Sequence, residues 1–331
     1  MIRFAVIGTN WITDSFIQAA RETGQVELTA VYSRTEARAK EFAAKHDIPN
    51  LYTDLEKMVA SDEFDAVYIA SPTSFHAEQA ILCMNHRKHV LCEKPIASHA
   101  NETKKMIETA AKNNVLLMEA LKSTLLPNFR AIQDNLHKIG PIRRYFASYC
   151  QYSSRYDAFK QGTVLNAFNP VFSNGSLMDL GVYCIYPMVV LFGMPELIKA
   201  NAIMLDSGVD GEGSLLLKYK EMDAVIMYSK ITNSHLSTEI QGENGTIVID
   251  KINEPGKVEI RYRDGSLDDI TQVQTGNTMK YEVQEFVRLL TDVKLESAVN
   301  SHAHSLSVMK ITDEARRQIG LVFPADSLLS L

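Results

Sequence analysis

Three side chains of unlike chemistry are candidates to meet a reacting molecule: an amine at Lys94, a carboxylate at Asp179 and a phenol at Tyr183. Lys94 lies just beyond the run His89-Val90-Leu91-Cys92 and just before Pro95. The run reads as a strand, and ligands in a doubly wound sheet bind at the carboxyl ends of parallel strands. Proline disfavours the α region for the residue before it, so Lys94 is expected to be extended, with an ammonium able to hydrogen-bond a hydroxyl or carbonyl oxygen. The alternative is a surface lysine. Asp179 and Tyr183 are four residues apart and share one face of a helix over about 176–192. Leu177, Met178, Leu180, Val182 and Ile185 make that helix otherwise apolar. A carboxylate there needs a partner, because isolation in an apolar medium costs several kcal/mol. Lys94, Tyr183 and a substrate hydroxyl are the candidates; the alternative is a charge that only complements the helix dipole, worth about 0.3–1 kcal/mol. A phenol is ordinarily protonated at neutral pH, and a nearby ammonium favours the phenolate.

The elements that must position these groups change rhythm along the chain. Strand-like runs at 2–7, 26–32, 65–70, 89–92 and 115–118 alternate with helical spacing at 11–22, 35–45, 75–85 and 99–113. Such alternation implies right-handed βαβ crossovers and a parallel sheet. Beyond about residue 120 comes a helix near 126–138, a strand over 143–152, the site helix, and strands at 197–205, 213–219, 223–231, 235–241, 245–250, 257–262 and 267–273. Asp210-Gly211, Asn244-Gly245, Pro255-Gly256 and Asp264-Gly265 read as turn signals between them, which suggests an antiparallel sheet. Helices near 278–292 and 304–318 follow. The expected fold is α/β: a doubly wound parallel sheet over 1–122, then an α+β domain over 123–331 built on an open, mostly antiparallel sheet.

The first strand–helix junction reads Gly8-Thr9-Asn10-Trp11-Ile12-Thr13. A dinucleotide fingerprint needs this context, a glycine for the tight turn and a helix N-terminus that offers N–H groups to a pyrophosphate. The match is degenerate, since Asn10 and Thr13 stand where the second and third glycines would be. A plain strand–helix turn is the alternative. The second strand ends Tyr32-Ser33-Arg34 rather than in an acid. A hydroxyl and a guanidinium suit a ribose 2′-phosphate, hence NADP, with NAD still open; Arg34 could also be a solvated helix-start residue. Trp11 either covers the cofactor or packs against Val6 and Ile69.

Four segments carry a resemblance: 65–76 (through Ser71-Pro72-Thr73 and His76), 88–95 (ending Glu93-Lys94-Pro95), Met118-Glu119-Ala120, and 175–183 (Gly175 to Tyr183). With them the chain resembles the glucose–fructose oxidoreductase / inositol dehydrogenase / MocA family. Tyr at 183 leans toward the glucose–fructose oxidoreductase and dimeric dihydrodiol dehydrogenase branch; Asn10 and Asn174 depart from the pattern. The resemblance implies a nicotinamide-dependent oxidoreductase acting on a CH–OH or C=O group of a sugar, sugar derivative or cyclic diol. Lys94, Asp179 and Tyr183 would be catalytic, with Lys94 or Tyr183 as the proton carrier and Asp179 orienting the hydroxyl. The cofactor would meet Gly8, Asn10, Trp11, Ile12, Ser33, Arg34, Ser71, Pro72, Thr73, His76, Glu93 and Lys94. His76 alone would read as a helix-start residue. Lys122, Arg155, Tyr156 and Asn166 are candidate substrate contacts, or ordinary loop residues. A galactose-pathway corepressor resembles the same family, so a non-catalytic NADP-sensing regulator is the alternative function.

Composition removes other classes. The net charge of −6 argues against a nucleic-acid or anionic-membrane partner. No run nears 18 consecutive apolar residues, and the N-terminus lacks a signal-peptide pattern. Cys83, Cys92, Cys150 and Cys184 show no CxxC pairing, which suggests reduced thiols and a cytoplasmic protein. His302-x-His304 lacks a supporting ligand set, so no metal site is expected. The second sheet is expected to expose Ile226, Tyr228, Ile247 and Ile249 as the interface of a homodimer or homotetramer.

Overall fold

A computed structural model describes the backbone of residues 1–330 and the side chains of residues 1–327. The first strands and helices are β1 (Ile2–Ile7), α1 (Trp11–Thr23), β2 (Val26–Tyr32), α2 (Glu36–His46), β3 (Asn50–Tyr52), α3 (Leu55–Val59), β4 (Ala66–Ile69), α4 (His76–Asn85), β5 (His89–Glu93), α5 (Ala100–Asn113) and β6 (Leu117–Ala120). Then come α6 (Pro127–Asn135), β7 (Ile142–Cys150), α7 (Tyr156–Lys160), α8 (Val182–Phe192), β8 (Leu197–Met204), β9 (Asp210–Lys218), β10 (Asp223–Ser229), β11 (Thr238–Gly242), β12 (Gly245–Ile249), β13 (Val258–Tyr262), β14 (Leu267–Asp269), α9 (Lys280–Thr291) and α10 (His302–Ile319).

The chain divides into two compact units, 1–122 with 275–302, and 123–274 with 303–331. The second half is therefore not one continuous domain. Val283, Phe286, Val287 and Leu289 give α9 a buried stripe, and the Phe286 ring meets Phe4 of β1 edge-on at 5.5 Å. That stripe needs an apolar partner, and in the first unit α9 finds α1.

The first unit holds a six-stranded parallel sheet in the order β3-β2-β1-β4-β5-β6. Its central strands are buried on both faces, as their continuous apolar runs require. β3 and α3, three and five residues long, are too short to leave a periodic pattern and add to the elements expected from the sequence. β6 begins two residues later than expected: Asn114 ends α5 in the left-handed conformation, and Val115 N–H still donates to the Ala110 carbonyl.

The second unit holds an eight-stranded sheet in the order β14-β13-β12-β11-β7-β10-β9-β8, antiparallel except where β10 runs parallel to β7. Ile226, Tyr228, Ile247 and Ile249 are at most 1% exposed, so the expected apolar face is the core face. Side chains alternate along a strand, and the open face belongs to the intervening positions. Phe146, Val225, Leu216 and Val248 line it, with Leu216 58% exposed. The segment Pro170–Phe192 is long and apolar enough to cross a membrane, but 72% of its most apolar stretch is buried inside the protein, as befits a core helix.

Candidate active site

At the β1–α1 junction Gly8 takes φ +102, and a Cβ there would lie 2.6 Å from the Ala70 carbonyl oxygen. Only glycine lets β1 pass that close to the end of β4. Asn10 caps α1: its Oδ1 accepts from the N–H groups of Ile12 at 3.0 Å and Thr13 at 3.4 Å, and its Nδ2 donates to the Ala70 carbonyl at 2.8 Å. The second-glycine position thus acts as an N-cap that also ties the turn to β4. Trp11 is 68% exposed, which removes the reading in which it packs on Val6 and Ile69.

Ser33 is buried at the end of β2 and Arg34 is exposed beside it. Arg38, one turn into α2, was missed. Its Nη2 donates to the Thr9 carbonyl at 2.6 Å and its Nε to Thr9 Oγ1 at 3.3 Å, which lays a guanidinium over the β1–α1 turn. The Arg34-x-x-x-Arg38 spacing on a helix start was the available signal. A glycine cradle, a helix N-terminus and two guanidiniums fit a dinucleotide with an extra phosphate.

Beyond β4, Ser71 Oγ donates to Gln79 Oε1 at 2.6 Å, and Pro72 leads into a 3₁₀ turn at Thr73–Phe75. His76 is 1% exposed, with Nδ1 3.0 Å from the Pro95 carbonyl oxygen and Nε2 2.8 Å from that of Ser71. Burial holds its imidazole below the usual pKa. His76 thus braces the Ser71–Pro72 turn against the Lys94–Pro95 turn, whose peptide is cis, rather than presenting an open ring. Glu93 is buried: Tyr68 Oη donates to its Oε1 at 2.5 Å and Lys94 N–H to its Oε2 at 3.2 Å. Burial pushes the Glu93 carboxyl up, with Lys94 and Lys122 pulling the other way. Glu282, delivered by α9, is pushed well up by burial and then by the Glu93 charge. Assigning α9 to the other half hid this second acid. Lys122 donates to Thr278 Oγ1 at 3.0 Å, so it stands in the first unit beside these acids.

In the second unit the site helix opens with a π-helical turn, Leu177–Gly181, before α8. Asp179 lies in this turn, four residues before Tyr183 in the first turn of α8. The Tyr183 ring packs edge-on against Tyr149 of β7 at 5.6 Å. Asp179 Oδ2 meets Lys230 Nζ at 2.7 Å, an ion pair absent from the sequence reading. The π-turn is capped from β9: Asp210 Oδ2 accepts from Leu177 N–H at 2.6 Å. Burial pushes the Asp210 carboxyl up to about 6, against the pull of Leu177 N–H and Lys230. Asp210-Gly211 is thus the buried start of a strand rather than a turn. Among the candidate substrate residues, Tyr156 stacks on Phe159 at 5.9 Å and leans on Phe168 at 5.6 Å, while Arg155 and Asn166 are exposed. Asn174 Nδ2 donates to the Asn166 carbonyl at 3.2 Å, which joins the loop to the residue before Gly175. Among the described residues no cluster of His, Cys, Asp or Glu is placed to hold a metal; His302 turns Nε2 to the Leu117 carbonyl at 3.0 Å.

Comparison with known proteins agrees with this architecture. Residues 2–121 match the model of an oxidoreductase family with an NAD-binding Rossmann fold, and 132–248 match the GFO/IDH/MocA C-terminal domain. The chain is 60% identical to scyllo-inositol 2-dehydrogenase (NADP(+)) IolU of Bacillus subtilis (strain 168), over 98% of this chain and 99% of the relative. It is 31% identical to trans-1,2-dihydrobenzene-1,2-diol dehydrogenase of Danio rerio, over 98% and 99%. A 3-ketoreductase of Actinomadura kijaniata, solved with NADP and TDP-benzene, shares the fold with a TM-score of 0.83 at 23% identity, covering 96% of this chain and 98% of that one.

Proposed function

The chain belongs to the Gfo/Idh/MocA oxidoreductase family, and we propose that it is an NADP-dependent dehydrogenase of a cyclic polyol, sugar or cyclic diol, with scyllo-inositol the first substrate to test. The observation that carries the NADP reading is the Arg38 guanidinium laid across Thr9, with Arg34 exposed just after β2. When bound, the cofactor supplies the hydride acceptor or donor. The 2′-phosphate would meet Arg34, Arg38 and Ser33, and the pyrophosphate the Gly8–Ile12 turn. Exposed Trp11 would lie over the cofactor, while Pro72, Thr73 and Glu93 would line its ribose and ring.

The chain's own groups divide the remaining work. Tyr183 takes the proton of the substrate hydroxyl in oxidation and returns it in reduction, and Lys94, just after β5, offers a hydrogen-bonding ammonium. Asp179 orients the hydroxyl. Arg155, Tyr156 and Asn166 would contact the rest of the substrate from their loop. A cytoplasmic location belongs to the same reading and is supported by four free thiols. So does a homodimer or homotetramer through the open sheet face of Phe146, Leu216, Val225 and Val248; a monomeric mass by light scattering at micromolar concentration would rule it out.

A cofactor and polyol screen tests the proposal. NADPH should bind more tightly than NADH, and Arg34→Ala or Arg38→Ala should each weaken NADPH by about 10–100-fold, a charge-assisted bond apiece, while sparing NADH. Tighter NADH binding in the unaltered protein would overturn the NADP reading. Tyr183→Phe should lower turnover by about 10²–10⁴-fold. Its NADPH affinity, read from Trp11 fluorescence, should not change; a protein that binds NADPH but turns over no polyol would be a sensor instead.

A further inference from the structure

We propose that Lys230 is a positioning residue for the reaction: its buried ammonium joins Asp179 to the 166–168 loop and so fixes the direction in which Asp179 meets a substrate hydroxyl. The inference rests on the role given to Asp179 above. Lys230 follows directly after β10, and its backbone is held on both sides: its N–H donates to the Gly211 carbonyl at 2.9 Å, and its carbonyl accepts from Ser153 N–H at 2.8 Å. The side chain is 4% exposed. Its Nζ lies 2.7 Å from Asp179 Oδ2 and 3.2 Å from the Ala167 carbonyl, and 5.5 Å from the centre of the Phe168 ring.

One cation therefore serves the site helix and the loop at once. Asp210 is a second carboxylate in its field, already bound to Leu177 N–H. A buried ion pair gives little net stability, because desolvation offsets attraction. This pair is also lopsided. The lysine end is buried, whereas the Asp179 side chain is 36% exposed. With Oδ2 held from behind by an ammonium, the carboxylate cannot swing freely, and its exposed side faces outward in one orientation. The Ala167 and Phe168 contacts hold the same segment that carries Asn166, and Phe168 in turn supports the Tyr156 ring. Lys230 thus sets both the acid that orients the hydroxyl and the loop that would hold the rest of the substrate.

Lys230→Met removes charge and donor; Lys230→Gln keeps a donor but no charge. Both are compared with Asp179→Asn and with Asp179→Asn/Lys230→Met. Lys230→Met should lose at least tenfold in kcat and gain severalfold in KM. Lys230→Gln should lose kcat similarly while KM stays within about threefold. The double variant should be no slower than Asp179→Asn alone. NADPH affinity by Trp11 fluorescence should be unchanged throughout. Calorimetric binding of polyol to the enzyme–NADPH complex should weaken in Lys230→Met and hold in Lys230→Gln. Unaltered kcat and KM in both lysine variants with a lowered Tm would overturn the inference in favour of a purely structural lysine, as would multiplicative losses in the double variant. If Lys230→Met fails to fold, the kcat-against-KM split of Lys230→Gln decides alone. Absence of polyol turnover in the unaltered enzyme would overturn the functional reading and this inference together, whereas normal turnover with unaltered variants overturns this inference only.

Discussion

The N-terminus of α1 and the π-turn that opens the site helix both follow a glycine with positive φ, Gly8 and Gly175. They are capped in opposite ways. At α1 the cap comes from the adjacent residue, since Asn10 bonds Ile12 and Thr13 N–H. At the π-turn it comes from a strand, where Asp210 takes Leu177 N–H, and the Asp179 carboxylate two residues on is paired with Lys230 beyond β10. A locally capped terminus keeps its form through short-range bonds. A terminus capped from across a sheet holds its form only when that sheet is assembled, and its side chains are as well placed as the sheet is rigid.

That contrast can be broken by substitution. The largest effect belongs to Gly175→Ala. A Cβ at Gly175 would sit 2.2 Å from Asp210 Oδ1, on a backbone at φ +142. We expect a loss of about 2–4 kcal/mol of stability by chemical denaturation, strain and overpacking combined. An undisturbed midpoint would mean that the remote cap is loose.

Asp210→Asn should sharpen the comparison by pH. Burial raises this carboxyl to about 6 in the folded protein, above its unfolded value, so the fold favours the protonated form. Its contribution is present at acid pH and is lost as pH rises through about 6. Relative to Asp210→Asn, the unaltered protein should therefore gain about 1–2 kcal/mol as pH falls from about 7.5 to 5. Parallel pH profiles of Tm for the two proteins would refute it. The smallest effect is expected at the local cap. Asn10→Ala should cost about 1 kcal/mol by thermal unfolding. It also frees the Ile12 and Thr13 N–H groups that a pyrophosphate would seek, which offsets the looser turn, so NADPH affinity should change by less than tenfold. A loss equal to that of Gly175→Ala would erase the distinction between the two termini.

Much of the fold was legible because its signals are local. Glycine at the β1–α1 turn, alternating apolar runs and the proline after Lys94 all act within a few residues. Short or shifted elements such as β3, α3 and β6 were hidden by local detail, whereas the errors of burial and pairing came from partners far along the chain. Ile226 and Tyr228 alternate with Val225 and Met227 in a strand apolar on both parities, so the pattern could not say which face was covered. Asp210-Gly211 has turn composition, yet the aspartate is drawn inside by Leu177 N–H. Arg38 was within reach of helical spacing; Lys230 was not, because a lysine after a strand ordinarily points to water.

By itself the sequence determined most of the longer strands and helices, and that an amine, an acid and a phenol stand near element ends, since backbone sterics, capping and side-chain period act over short range. Only the tertiary structure decided that α9 returns to the first unit with Glu282, that Arg38 covers the β1–α1 turn, and that Asp179 is held by Lys230. Burial and charge pairing depend on which surfaces meet, and that is fixed when the sheets close on their helices.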